Sequence, residues 1–242
     1  MMDIHYLTDN IFIQDNKMLY HTNNKSKAIQ SHNWHIHLQE YGWSKLPSKL
    51  ITLLNKQLKT PTKNSPFGCL DCGGDGDCLF HCISHSLNNN YQDMDFKNYT
   101  SYEIRKLISE NITNEQYTEI IDYYRILKDC QEFEELWDPY SIHSKEEFCD
   151  ELMKESNNYW GDFLLLQLLS PILQINCLIL SSDSTTNKYS TYPTMLEYNP
   201  NYKTIILLYE DNIHFKLIGY FKDSLMNYLF THEKIPIEIS KI

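Results

Sequence analysis

Seven consecutive residues, Asp71 to Asp77, contain three glycines and three aspartates, and neither helix nor strand propensity survives such a stretch. The residues that follow reverse this character at once. Leu79, Phe80, Ile83 and Leu87 recur at helical spacing, which predicts an amphipathic helix opening near Cys78 and stopped by Asn88-Asn89-Asn90. A forced loop running straight into a helix is the fixed point around which the rest of the chain has to be arranged.

Downstream of that junction the pattern is helical. Ile104, Leu107 and Ile108 mark a second helix, and Tyr117, Ile120, Ile121 and Tyr124 a third. Ser144 followed by Glu147 reads as a capping box opening a fourth helix with Phe148 and Leu152. A fifth is expected from Gly161 to Ser170, ended by Pro171. Strand patterns then take over. Ile172 to Leu180 is an apolar run, and Thr204–Tyr209 and Ile213–Phe221 flank a tight turn at Glu210-Asp211-Asn212. Helices first and strands later imply an α+β domain, a small sheet with helices packed on it. The tail reads as a last helix around Leu225 to Phe230.

Upstream the signals are weaker. Residues 1 to about 30 are polar and mixed, with Asn23 to Lys27 as loop. Trp34, Ile36 and Leu38 alternate with histidines and suggest a short strand; Leu50, Leu53, Leu54 and Leu58 after Pro47 suggest a helix. The stretch Lys59 to Pro66 holds two prolines and reads as a boundary between an N-terminal extension (1–62) and a catalytic domain (63–242). Truncation near Lys63 is expected to alter substrate affinity or linkage preference more than the chemical step.

Composition narrows the function. The formal net charge is -11 and no basic stripe is visible, so a phosphate-neutralising nucleic-acid surface is not expected. No apolar run approaches the roughly 20 residues of a membrane helix. The first residues show neither a charged nor an apolar signal region, and the seven cysteines are an odd number. A reducing, cytoplasmic setting is expected, where a cysteine is a core residue, a metal ligand or a nucleophile.

A cysteine nucleophile needs access, thiolate character and donors for the oxyanion it creates. A helix start supplies unpaired N–H groups and the positive end of the helix dipole, and Gly-rich backbone can turn amides toward a carbonyl. The plain alternative is that Cys78 is one more small core residue. Its neighbours argue otherwise. Asp75-Gly76-Asp77-Cys78-Leu79-Phe80 resembles the active-site segment of the ovarian-tumour (OTU) family of cysteine proteases. Further pieces resemble that family in order: Glu103 to Leu107, Tyr159-Trp160-Gly161-Asp162 with Asp162 in place of a second glycine and Leu165 in place of a common Glu, and Asp211 to Phe215 with His214 before an aromatic. The resemblance spans about residues 66 to 221.

The resemblance implies a papain-like OTU fold and a deubiquitinase that needs no cofactor and acts on ubiquitin or polyubiquitin chains. Cys78 would attack the isopeptide carbonyl, His214 would serve as base, and backbone amides of Gly76 and Asp77 would hold the oxyanion. Many relatives place Asp or Asn two positions after the histidine, but Lys216 stands there and accepts no hydrogen bond. Other members of the family use the Asp three positions before the cysteine, a position that Asp75 occupies, so the resemblance implies Asp75 as third member, with Asn212 in reserve. The wealth of Asn, Ile, Lys and Tyr, with their A/T-heavy codons, fits an A/T-rich genome such as that of a large DNA virus or a parasite, with a host cytoplasm as the setting if it is viral. Two other readings stay open. One is a structural zinc module using Cys69, Cys72 and their neighbours; the other is an inactive OTU-like protein that only binds ubiquitin.

Overall fold

The computed structural model describes residues 4–23, 25–56, 58, 64–74, 76–88, 98–133, 135–183, 188–195 and 198–240. The chain opens with strands β1 (His5–Tyr6), β2 (Ile11–Gln14), β3 (Lys17–Thr22) and β4 (Lys25–Ala28). A one-turn helix α1 (Trp34–His37), strand β5 (Trp43–Lys45), helix α2 (Ser48–Asn55) and strand β6 (Phe67–Leu70) follow. Next come helices α3 (Cys78–Asn88), α4 (Ser101–Asn111), α5 (Asn114–Asp129), α6 (Lys145–Leu152) and α7 (Phe163–Leu173). Strands β7 (Ile175–Asp183), β8 (Lys188–Met195), β9 (Lys203–Glu210), β10 (His214–Lys222) and β11 (Leu225–Asn227) precede a short α8 (Ile237–Ser240). The architecture is α+β, as the sequence pattern implies. Described residues of 4–71 and 176–240 form one compact unit, and those of 72–88 and 98–175 a second.

The first unit is built on a sheet of order β5-β6-β10-β9-β7-β8, with β11 added on β10. The chain-distant strand β6 lies antiparallel to β10, with Leu70 opposite Leu217 and Cys69 opposite Ile218. Its other edge is taken by β5, Trp43 opposite Leu70. Residues from the expected N-terminal extension therefore pair in this sheet. Leu46 and the α2 residues Leu50 and Leu54 cover one face, against Phe67, Leu178, Leu180, Ile206, Leu208 and Ile218. Gly219 gives the Trp43 indole room, since a Cβ there would lie 2.6 Å from its ring. The strands β1 to β4 form a separate small sheet, tied to the β10–β11 turn by the Met18 N–H donating to the Ser224 carbonyl at 2.8 Å. The expected cut near residue 62 falls within 59–63, outside the described residues.

In the second unit the helices bury apolar stripes of the spacing the sequence shows: Ile104 and Ile108 on α4, Ile120, Ile121 and Tyr124 on α5, Phe148 and Leu152 on α6. The Ser144 hydroxyl accepts the Glu147 N–H, but the Glu147 carboxylate reaches back to the His143 N–H rather than closing the box on Ser144.

Some sequence expectations are corrected. Trp34 and Leu38 share a helical face, both fully buried, while Ile36 is 62 % exposed, so this segment is a helical turn and not a strand. Pro171 sits inside α7, where it forfeits only one N–H of the last turn; the helix ends at Gln174 in the left-handed conformation (φ 54). Ile172 and Leu173 accordingly belong to α7, and the strand starts at Ile175. The tail around Leu225 is a strand because Asp223 and Ser224, at φ 53 and 63, make a two-residue hairpin turn. Of the loop expected from Asn23 to Lys27, Lys25 to Lys27 lie instead in β4, paired with β3.

Candidate active site

Cys78 is the first residue of α3 and is buried. The approach to it is bent by Gly76 at φ +84, a conformation that favours glycine, and a Cβ there would lie 2.2 Å from the Ser156 carbonyl oxygen and 2.7 Å from Trp160 Cδ1. Asp77 starts the helix ladder by accepting the His81 N–H at 2.9 Å through its carbonyl. Its carboxylate faces a fully buried Arg105, whose Nε and Nη2 donate to Oδ1 at 3.0 and 2.5 Å. The other oxygen accepts the Ser156 N–H at 2.8 Å. Nη1 and Nη2 of Arg105 also donate to the carbonyls of Leu152 and Tyr159, at 2.7 and 2.8 Å. The guanidinium lies 4.1 Å over the Phe80 ring. The loop ahead of the cysteine is thus clamped from three neighbouring elements.

The Asp77 amide, expected as an oxyanion donor, donates to the Gly74 carbonyl at 3.3 Å. A bond that long is weak, and the amide has to exchange it for a substrate oxygen. Asp75 lies outside the described residues.

The Tyr159 to Asp162 segment supports this loop. Gly161 fits under α3, where a Cβ would lie 2.9 Å from Leu79 Cβ. Asp162 caps α7, accepting the Leu164 and Leu165 N–H groups at 2.9 and 3.1 Å and the Tyr124 hydroxyl at 2.8 Å. Burial raises the Asp162 carboxyl above its ordinary pKa despite those donors. The Trp160 N–H and Trp137 indole donate to Glu135 at 3.0 and 2.6 Å; burial nonetheless pushes the Glu135 carboxyl up to about 7.

His214 is the first residue of β10, opposite Glu210 of β9. The turn before it holds Asp211 and Asn212 at φ 55 and 61, and the Tyr209 hydroxyl donates to the Asn212 carbonyl. Phe215 anchors the strand from the buried face. His214 Nε2 is 3.1 Å from Asp71 Oδ1. Asp71 directly follows β6, and the β6–β10 register brings it beside His214 and Lys216. Lys216 is paired with Glu210 at 2.5 Å; burial works against its charge, but Glu210 and Asp71 hold it above the ordinary lysine value. The structure thus groups Cys78, Gly76 and Asp77 in the helical unit and His214 with Asp71 in the sheet unit. Sequence reasoning missed the Asp71–His214 contact by counting Asp71 into the Gly-rich loop; the apolar run Phe67 to Leu70 is the signal that a strand ends beside it.

The zinc reading gains nothing from Cys69. Its side chain is buried in the sheet, shares a hydrogen bond with the Ser44 hydroxyl at 3.2 Å, and its thiol is pushed up by burial, away from the thiolate a metal takes. Among the described residues no group of three or more His, Cys, Asp or Glu side chains is disposed to hold a metal ion. Nor, among them, is any helix long and apolar enough to cross a membrane.

The helical unit presents a cysteine at a helix start behind a turned glycine loop, and the sheet unit an imidazole on a carboxylate. Residues 73–215, over half of the chain, match the family described as OTU-like cysteine protease. The chain belongs to that family, and its α+β architecture is that of the papain-like OTU fold. Among solved structures it is similar to the viral OTU domain protease from Dera Ghazi Khan virus (15% identity, TM-score 0.40, 64% of this chain and 82% of that one). It is also similar to an OTU deubiquitinase from Wolbachia pipientis wMel bound to ubiquitin (14%, 0.42, 70% and 99%) and to the Hazara virus OTU bound to ubiquitin (15%, 0.39, 64% and 81%). No curated protein matches the chain.

Proposed function

We propose that this OTU-like cysteine protease is a deubiquitinase whose nucleophile is Cys78, whose base is His214 and whose orienting carboxylate is Asp71. It hydrolyses isopeptide bonds at the C-terminus of ubiquitin, in the cytoplasm. The observation that carries the reading is the Asp-Gly-Asp-Cys-Leu-Phe segment opening α3 inside the matched region. Asp71 is preferred to Asp75, which lies outside the described residues, because its carboxylate is 3.1 Å from the His214 ring nitrogen. Lys216, where many relatives carry the acceptor, is engaged with Glu210 instead.

The chemistry follows thiol-protease logic. His214 takes the Cys78 proton, the thiolate attacks the carbonyl carbon, and the oxyanion is held by amides of the Gly76–Cys78 turn, with that of Asp77 giving up Gly74. The imidazolium returns the proton to the departing lysine amine, and water then clears the thioester. Asp71 fixes the ring and stabilises its charged form.

Turnover of a fluorogenic ubiquitin substrate tests this, together with covalent capture by an electrophilic ubiquitin probe. Cys78→Ala and His214→Ala are expected to abolish turnover, and Cys78→Ala to abolish capture. Equal rates for wild type and Cys78→Ala, including equal inertness, would reject the enzymatic reading and leave a ubiquitin-binding protein.

A further inference from the structure

We infer that Arg105 is a positioning residue for the nucleophile: it cancels the carboxylate charge of Asp77 beside Cys78 and locks the turn that presents the thiolate. The inference rests on the reading of Cys78 as nucleophile. Asp77 immediately precedes Cys78 and is itself buried. An uncompensated carboxylate at that point opposes ionisation of the neighbouring thiol, because like charges in a dry site disfavour each other. Arg105 removes that opposition with two donors on one carboxylate oxygen, at 3.0 and 2.5 Å. Its other two bonds fix it to main-chain carbonyls of Leu152 and Tyr159, so the charge cannot swing away. The Ser156 N–H takes the second Asp77 oxygen, and the Ser156 carbonyl blocks the place a side chain on Gly76 would need. Orientation of the turn and neutralisation of its charge therefore come from one guanidinium on α4.

A merely structural Arg105 would change stability and leave the titration of the reaction alone. A positioning Arg105 shifts that titration. The acid limb of the pH profile of kcat/KM reports ionisation in the free enzyme. In Arg105→Gln the limb is expected to move up by about one pH unit, a roughly tenfold loss on its acid side. Adding Asp77→Asn in the same protein removes the stranded carboxylate and is expected to return the limb to the wild-type position. Other titratable groups around Arg105 are Glu135, at about 7, and the buried Tyr159 phenol, raised well above its ordinary value by burial; His81 stands one turn into α3 beside Gly73. The profiles are therefore compared in a Glu135→Gln background as well, where the same displacement is expected.

The experiment uses the full chain and the fluorogenic ubiquitin substrate, with folding of each variant checked by circular dichroism. An unmoved limb in folded Arg105→Gln overturns the inference, as does a limb that Asp77→Asn fails to restore. Should Arg105→Gln not fold, Asp77→Asn alone decides: its limb moves down because the guanidinium is left uncompensated beside the thiolate, and an unmoved limb overturns the idea. Retention of the wild-type rate by Cys78→Ala brings down the parent reading first, and is seen before any limb is compared.

Discussion

Removal of the Asp71 carboxylate separates the charge partner of His214 observed in the fold from the one the motif suggests. The contact is 3.1 Å, with side-chain exposures of 24 % for His214 and 56 % for Asp71. A hydrogen bond to a charged group contributes about 1.5–3 kcal/mol when well shielded, and solvent on the Asp71 side reduces this to about 1–2 kcal/mol. At about 1.4 kcal/mol per factor of ten, Asp71→Ala should lower kcat/KM on the ubiquitin substrate by roughly 5- to 30-fold. Asp71→Asn keeps an acceptor and loses only the charge, so it should fall between. The difference between wild type and Asp71→Asn should shrink in 1 M salt, where the screening length drops to about 3 Å. Rates of Asp71→Ala within twofold of wild type, with Asp75→Ala inactive, would refute the argument and restore Asp75 as third member.

Glu135 gives a stability prediction with a definite sign. Its carboxyl is raised, chiefly by burial, from 4.5 to about 7, so the fold prefers the neutral acid. The stability this gives is complete below about pH 4.5 and is lost as pH rises through about 7, by up to about 3 kcal/mol. Glu135→Gln should flatten that stretch of the urea-denaturation profile and raise stability at pH 8; an unchanged slope would count against it. Gly76→Ala places a methyl 2.2 Å from a main-chain oxygen at φ +84 and should cost about 2–4 kcal/mol, lower Tm by roughly 4–16 °C and cut kcat at least about tenfold. Unaltered kcat would show that the turn tolerates displacement. Deleting residues 1–62 strips β5 from the β6 edge and Leu46, Leu50 and Leu54 from the core, so loss of solubility or a collapse of Tm is expected rather than a change in affinity alone. A truncated protein melting at the wild-type temperature would refute that.

The parts legible in the sequence are those where local chemistry and tertiary role agree. The helix from Cys78 shows because its apolar residues keep one period, and the β9–β10 hairpin shows because Asp211 and Asn212 are suited to left-handed turn positions. The sheet of β1 to β4 was hidden because, β2 apart, its strands carry few buried residues; β4 reads Lys-Ser-Lys-Ala and buries none of them. Trp34 to Leu38 satisfies both periods over so short a span, and only the exposure of Ile36 distinguishes them. Asp71 was illegible for another reason. Its contact with His214 follows from strand register between residues far apart in the chain, and no local pattern encodes which strand β6 will meet.

That pairing also sets a timetable for synthesis. Phe67 to Leu70 wait for Leu217 to Tyr220, so the edge carrying Asp71 stays open on the ribosome while the helices in between are already being made. The imidazole arrives on the very strand that closes the edge. The contact between His214 and Asp71 is therefore a late event of folding, made only once β10 has emerged and found the edge that β6 keeps for it.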